Sequence, residues 1–173
     1  TGFAKYDVTG VNAEAFLNRV LANRMPQRDG GIALAHFLSK NGRILGEATV
    51  TRISGEHFYL LSAASAELRD LDHLVQQVQP VQSGEQVDIR NTTEERGVIV
   101  LAGPKARDVL SGLTDVSLEN ADFPWRTAQL IEIAGIPTLA LRINYVGELG
   151  WELHPAMSDL QALYEAVWAA GEG

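Results

Sequence analysis

Gly10, Ala13, Phe16 and Leu17 follow the same spacing as Gly103, Ala106, Val109 and Leu110 in the second half of the chain. In both places an apolar strand-like run comes before the glycine and a helical period follows it. A chain that restarts in this way folds as two similar lobes, and each half reads β-α-β-β-α, give or take a strand. Strands and helices in that mixed order bury one face of an antiparallel sheet under helices, the α+β layer arrangement. Two such lobes leave a cleft, the preferred place for a small-molecule site. Pro80, Ser83 and Gly84 mark the boundary within residues 79–85, which divides the chain into lobes 1–84 and 85–173.

Local patterns fill in each half. Ala13, Phe16, Leu17, Val20 and Leu21 form one apolar stripe, predicting a helix from Val11 to Asn23 with Asn12 as its N-cap. Ile32 to Ala63 is rich in β-branched and aromatic residues and is broken at Lys40-Asn41-Gly42 and Ser54-Gly55-Glu56, which predicts three antiparallel strands. Ser65 opens a second helix that turns Leu68, Leu71, Leu74, Val75 and Val78 inward, and Pro80 stops it. Arg96 to Ala102 reads as a buried strand leading through Gly103-Pro104 into a helix from Lys105 to Leu113. Strands follow at 128–132, 138–143 and 150–154, and Ser158 caps a last helix with Leu160, Leu163, Tyr164, Val167 and Trp168 inward.

Composition narrows the function classes. With 173 residues and 46% hydrophobic content the chain is of ordinary globular type, long enough to bury about 70% of its unfolded surface without disulfides or metal. Zero Cys excludes Cys-ligated zinc, iron–sulfur ligation and thiol nucleophiles from this chain, and fits a reducing compartment, the cytosol or the mitochondrial matrix. A net charge of −8 argues against nucleic acid, whose phosphates require a Lys/Arg surplus. No apolar run reaches the roughly 18 residues of a membrane span, and no signal peptide opens the chain. Asn91-Thr92-Thr93 therefore reads as an ordinary turn, not a glycosylation site. A start at Thr1 and a stop just after a strong helix read as a piece cut from something longer.

Glycine-rich nucleotide loops, H-E-x-x-H and G-x-S-x-G are all absent. His36, His57, His73 and His154 are dispersed without metal-ligand spacing, and each reads as a surface or hydrogen-bonded residue. Two carboxylates stand out. Strand alternation puts Leu45, Glu47, Thr49 and Thr51 on one face, with Ile44, Ala48 and Val50 on the other. Glu47 must then meet solvent, a cation such as Arg43 or Arg52, or a polar cavity; a solvated ion pair there is worth under about 1 kcal/mol. Glu148 lies between Gly147 and Gly150, which free the backbone for a close approach. A carboxylate so held accepts two parallel hydrogen bonds, the geometry that reads an N–H and an amino group on one heterocycle edge, and Tyr145 supplies an aromatic face. The plain alternative is a hairpin with a charged tip.

Five segments carry a family resemblance: Gly2 to Gly10, Gly42 to Arg52, Phe58 to Ala64, Leu101 to Ala106, and Tyr145 to Leu153. In these the chain resembles the folate-binding aminomethyltransferase family of the glycine-cleavage T-protein, above all its version in the C-terminal half of FAD-dependent dimethylglycine and sarcosine dehydrogenases. The resemblance implies a two-lobed α+β unit holding tetrahydrofolate in a central channel, without the family's C-terminal β-barrel and without the flavin domain that would hold FAD. It implies that Glu148 hydrogen-bonds the pterin with Tyr145 beside it. Glu47 falls where the T-protein has an aspartate proposed to assist proton transfer at a folate nitrogen. Ser62 takes the place of an Asn near the folate, a departure that weakens that contact.

The activity implied is one-carbon transfer. A flavin domain of the same polypeptide oxidises an N-methyl amine to an iminium, the folate amines capture it ahead of water, and 5,10-methylenetetrahydrofolate results. Glu47 as general base would be worth about 10²–10⁴ in rate. A stand-alone aminomethyltransferase and a folate-dependent demethylase are alternatives within the same chemistry, although Gly46-Glu47 favours the dehydrogenase-like form. A different class is a non-catalytic folate-binding or regulatory relative; the iron–sulfur assembly relatives carry a cysteine motif that this chain lacks.

Overall fold

The computed structural model describes residues 2–78 and 84–172, so the expected helix stop at Pro80 lies outside the described residues. The chain divides into two compact units, Thr1–Thr93 and Glu94–Gly173.

The first unit runs β1 (Phe3–Thr9), α1 (Ala13–Val20), β2 (Leu21–Ala22), β3 (Ile32–Leu38), β4 (Ile44–Ser54), β5 (His57–Ala63), α2 (Glu67–Gln77) and β6 (Asp88–Asn91). Its six strands form one sheet in the order β2-β3-β4-β5-β1-β6. The second unit runs β7 (Ile99–Ala102), α3 (Ala106–Ser111), β8 (Ala128–Ile133), β9 (Ile136–Leu141), β10 (Gly150–Pro155) and α4 (Leu160–Gly171), with sheet order β7-β10-β9-β8. All pairings within the two sheets are antiparallel. Read in reverse, β8-β9-β10-β7 matches β3-β4-β5-β1, so the halves share one topology and the α+β expectation holds. Residues just past the expected boundary at 84 join the first unit, because β6 pairs with β1 from Thr9↔Asp88 to Tyr6↔Asn91.

The repeated glycines explain the restart. Gly10 and Gly103 take φ of +123° and +134°, a region closed to most side chains. Each turns a strand into a helix in the same way: the amide of Ala13 donates to the Gly10 carbonyl and that of Ala106 to the Gly103 carbonyl, both at 3.0 Å. Ala13, Phe16 and Leu17 then pack under the first sheet, and Ala106 and Leu110 under the second.

Each core lies between helices and one sheet face. Ala4, Tyr6 and Val8 alternate inward on β1, with Phe37, Val50, Phe58 and Leu60 on its neighbours and Leu74 from α2. Trp151 and Leu153 of β10 do the same in the second unit, beside Phe123, Ile131, Ile133, Leu163 and Val167. Each fully buried large side chain contributes about 1.5–3 kcal/mol before conformational entropy is charged.

Three local expectations change. The first helix ends early because Leu21 and Ala22 pair with Phe37 and His36 of β3. On α2 and α4 the apolar stripes are narrower than expected: Leu68, Val75, Tyr164 and Trp168 are exposed, and Leu74, Leu163 and Val167 carry the packing. β7 is a four-residue edge strand instead of a longer buried one; Val100 is exposed, and Arg96 only makes an isolated bridge to Ala156. Among the described residues no helix is long and apolar enough to cross a membrane.

Candidate functional site

Glu47 owes its place to the β3–β4 hairpin. The register sets His36 opposite Glu47, then shifts between Phe37 and Leu38 so that Leu38 pairs with Ile44. The extra residue this leaves on β4 bends the strand, as a β-bulge does. Ala48 and Val50 enter the core while Glu47 points from the opposite face, as alternation predicts. Its carboxylate lies 3.2 Å from His36 Nε2, with 60% of the Glu47 side chain and 29% of the His36 side chain exposed.

The cations expected for Glu47 do not hold it. Arg52 has the opposite parity on β4, and its guanidinium donates to Glu14 at 2.6 Å and to Asp29 at 3.1 Å. The Arg52 hydrogen bond holds the Glu14 carboxyl below its ordinary range. Of the surroundings open to Glu47, the structure gives solvent together with one imidazole across the hairpin.

Ser62 does not join Glu47. Thr49 of β4 pairs with Leu61 of β5, so Leu61 shares the Glu47 face and Ser62 points to the helix-covered side, where it is buried. The two residues lie on opposite faces of one sheet.

Glu148 and Tyr145 both lie on the loop between β9 and β10, and two residues at its base shape it. Arg142 is buried, donates to the Phe123 carbonyl and to Asn120 Oδ1, and stacks 5.5 Å from the Trp151 ring centre. Burial, reinforced by the nearby Arg107 charge, lowers its pKa. Asn144 closes the turn from both sides: its side-chain carbonyl accepts from the Gly147 amide at 3.0 Å, and its amide donates to the Glu148 carbonyl at 2.8 Å. Gly147 sits at φ +79°. A Cβ on Gly150 would collide with the backbone of Leu101 and Ala102, so the loop must re-enter the sheet through a glycine. The Glu148 backbone is therefore pinned while its carboxylate, exposed, makes no hydrogen bond among the described residues; the Tyr145 ring is 97% exposed.

These groups suit a flat heterocycle: a carboxylate able to accept two parallel hydrogen bonds and an uncovered aromatic ring, carried on one loop whose backbone is already ordered. A reduced pterin fits that chemistry at Glu148 and Tyr145, and the buried position of Ser62 does not add to it. Cavities of about 620 Å³ beside β7 and α4 and of about 560 Å³ beside α1 and β3 contain none of Glu47, Tyr145 or Glu148.

His36, Arg142 and Asn144 were not marked by sequence reasoning. An Asn three residues before a Gly is a readable turn signal. A lone Arg ending an apolar strand is a weaker one. The His36–Glu47 pairing depends on hairpin register, and sequence spacing does not reveal it. The other histidines are hydrogen-bonded or packed: His57 Nε2 lies 2.8 Å from Asp7, His73 meets the Phe37 ring edge-on, and buried His154 lies 3.6 Å from Glu152.

Comparison with known proteins gives a consistent answer. Residues 1–173 match the family model described as GCVT N-terminal domain. The human mitochondrial dimethylglycine dehydrogenase is 36% identical over 170 residues, which cover 98% of this chain and 19% of that protein. An aminomethyltransferase of Chloroherpeton thalassium is 32% identical over 168 residues, 96% of this chain and 45% of that protein. The crystal structure of the glycine cleavage system aminomethyltransferase T from Bartonella henselae superposes with a TM-score of 0.82 at 22% identity, covering 99% of this chain and 44% of that one, which establishes the shared fold. The chain thus spans about a fifth of the dehydrogenase and under half of the aminomethyltransferase. With every residue inside the family model and the topology the same, the chain belongs to the GCVT N-terminal domain family and has the aminomethyltransferase fold.

Proposed function

We propose that this chain is the tetrahydrofolate-dependent one-carbon transfer module of an FAD-linked dehydrogenase acting on N-methyl amines of the dimethylglycine or sarcosine type. The observation that carries the reading is the pinned loop with a free Glu148 carboxylate and an uncovered Tyr145 ring. Similarity to a mitochondrial dimethylglycine dehydrogenase supports the substrate class, a flavin domain in the same polypeptide and the mitochondrial matrix as the compartment.

In this reading Glu148 accepts the ring N–H and amino hydrogens of the pterin, and Tyr145 covers one ring face. Tetrahydrofolate supplies two amine nitrogens that accept carbon at the formaldehyde level. Glu47 takes the proton released as the nitrogen–carbon bond forms, while the iminium π pair passes to the substrate nitrogen. It returns that proton as the carbon–amine bond breaks. In sum, the iminium and two acceptor N–H groups become 5,10-methylenetetrahydrofolate and a protonated, demethylated amine.

Titration with tetrahydrofolate, followed by tryptophan emission, tests the reading. Glu148→Gln exchanges an acceptor for a donor and is expected to weaken binding roughly 10- to 100-fold, the worth of a hydrogen bond to a charged group. Glu47→Gln is expected to leave affinity unchanged and to slow transfer by about 10²–10⁴. Equal affinity of Glu148→Gln and the parent removes the pterin assignment. The match to a stand-alone aminomethyltransferase over nearly half its length supports a second reading, the same transfer without a flavin. Absence of N-methyl amine oxidation in the intact natural polypeptide selects it.

A further inference from the structure

We propose that His36 is the positioning residue for Glu47, donating its Nε2 hydrogen to one carboxylate oxygen so that the other is presented to the reacting nitrogen. This inference rests on the reading of Glu47 as the general base.

The geometry comes from the hairpin. His36 and Glu47 are directly opposed across β3 and β4, and Nε2 approaches Oε1 at 3.2 Å. Ala35 and Phe37, on either side of His36, are both buried in the first core, so the histidine backbone is fixed on a rigid strand. A glutamate with 60% of its side chain exposed has little else to hold its rotamer. Among the described residues His36 is its polar partner, and Oε2 has none.

The type of partner matters as much as its position. A guanidinium at this distance would stabilise the carboxylate anion and blunt it as a base. Arg52, five residues along the same strand, is turned to the other face and engaged by Glu14 and Asp29. An imidazole gives an oriented N–H from a rigid ring without the permanent charge of a guanidinium.

The first test needs no variant. Nitrogen-15 NMR of the imidazole in this chain is expected to show the Nε2–H tautomer of His36 in the parent, lost in Glu47→Ala; an Nδ1–H tautomer overturns the assignment. The second uses the intact natural polypeptide with dimethylglycine and tetrahydrofolate, measuring 5,10-methylenetetrahydrofolate against free formaldehyde. His36→Leu is expected to lower kcat for transfer roughly tenfold, within the loss that misplacing a reacting group produces, with KM for tetrahydrofolate unchanged. His36→Gln, which keeps an amide donor, restores most of it. His36→Leu added to Glu47→Gln is expected to cost nothing more. If Glu47→Gln is slow and His36→Leu is as fast as the parent, the positioning role is wrong and the base survives. If Glu47→Gln is itself as fast as the parent, the reading of Glu47 fails first. The tautomer decides the matter if His36→Leu does not fold.

Discussion

Tyr6 shows how one side chain is committed by its surroundings. It is fully buried on β1, donates from its hydroxyl to the Glu67 carbonyl at 2.8 Å, and has its pKa pushed by burial up to about 12. An unfolded tyrosine ionises near 10, so the native state holds this proton when the unfolded chain has lost it. The stability linked to Tyr6 is fully present below pH 10 and falls as pH rises from 10 to about 12, by on the order of 2 kcal/mol. Tyr6→Phe is expected to lose about 0.5–1.5 kcal/mol at neutral pH with its hydrogen bond and to flatten this alkaline limb. Urea unfolding of both proteins at pH 7, 10 and 11 checks it. The candidate site is legible at the same scale in part. Alternation along β4 identifies the face of Glu47, because parity within one strand needs no partner. That Ser62 lies on the other face follows only once Thr49 is known to oppose Leu61, and register between strands is a tertiary fact.

Among the elements, the strand-to-helix turns were the most legible. A glycine at φ above +100° followed by a helix leaves a mark in sequence, and it was left twice, at Gly10 and Gly103. The two turns nonetheless differ in their tolerance. A Cβ on Gly10 would run into the Gln86 carbonyl, whereas one on Gly103 meets open space. Backbone strain alone costs roughly 1–3 kcal/mol at such a position, so Gly103→Ala is expected to lose about that much and Gly10→Ala distinctly more. Chemical denaturation of the two variants measures the difference; equal losses would mean that the Gln86 segment yields to the methyl group. The helices were harder to read. Leu68, Val75, Tyr164 and Trp168 keep the helical period yet remain exposed, because periodicity gives a direction and the width of the covering sheet decides how much of that face is buried. β7 misled in the same way: an apolar strand at a sheet edge has the composition of a central one.

Across the whole molecule, one topology is used twice and the two candidate carboxylates sit at different places in the two copies. In the first unit the carboxylate of interest, Glu47, lies on a strand opposite a histidine; in the second, Glu148 lies on the β9–β10 loop that also carries Tyr145. If Glu148 grips tetrahydrofolate, binding to the native state alone must raise the unfolding free energy, by about 2.7 kcal/mol at a hundredfold excess over Kd. For a chain of this size each kcal/mol moves Tm by roughly 2–4 °C, so a rise of about 5–11 °C is expected. Glu47→Gln should show the whole rise, because a base that acts on a bound substrate need not hold it. Glu148→Gln, with Kd raised about 10- to 100-fold, should show about 1.3–2.3 kcal/mol less at the same tetrahydrofolate concentration, because the ligand then stands at only about one to ten times Kd. Calorimetry with and without tetrahydrofolate separates the two variants, and a full rise in Glu148→Gln would move the pterin away from the β9–β10 loop.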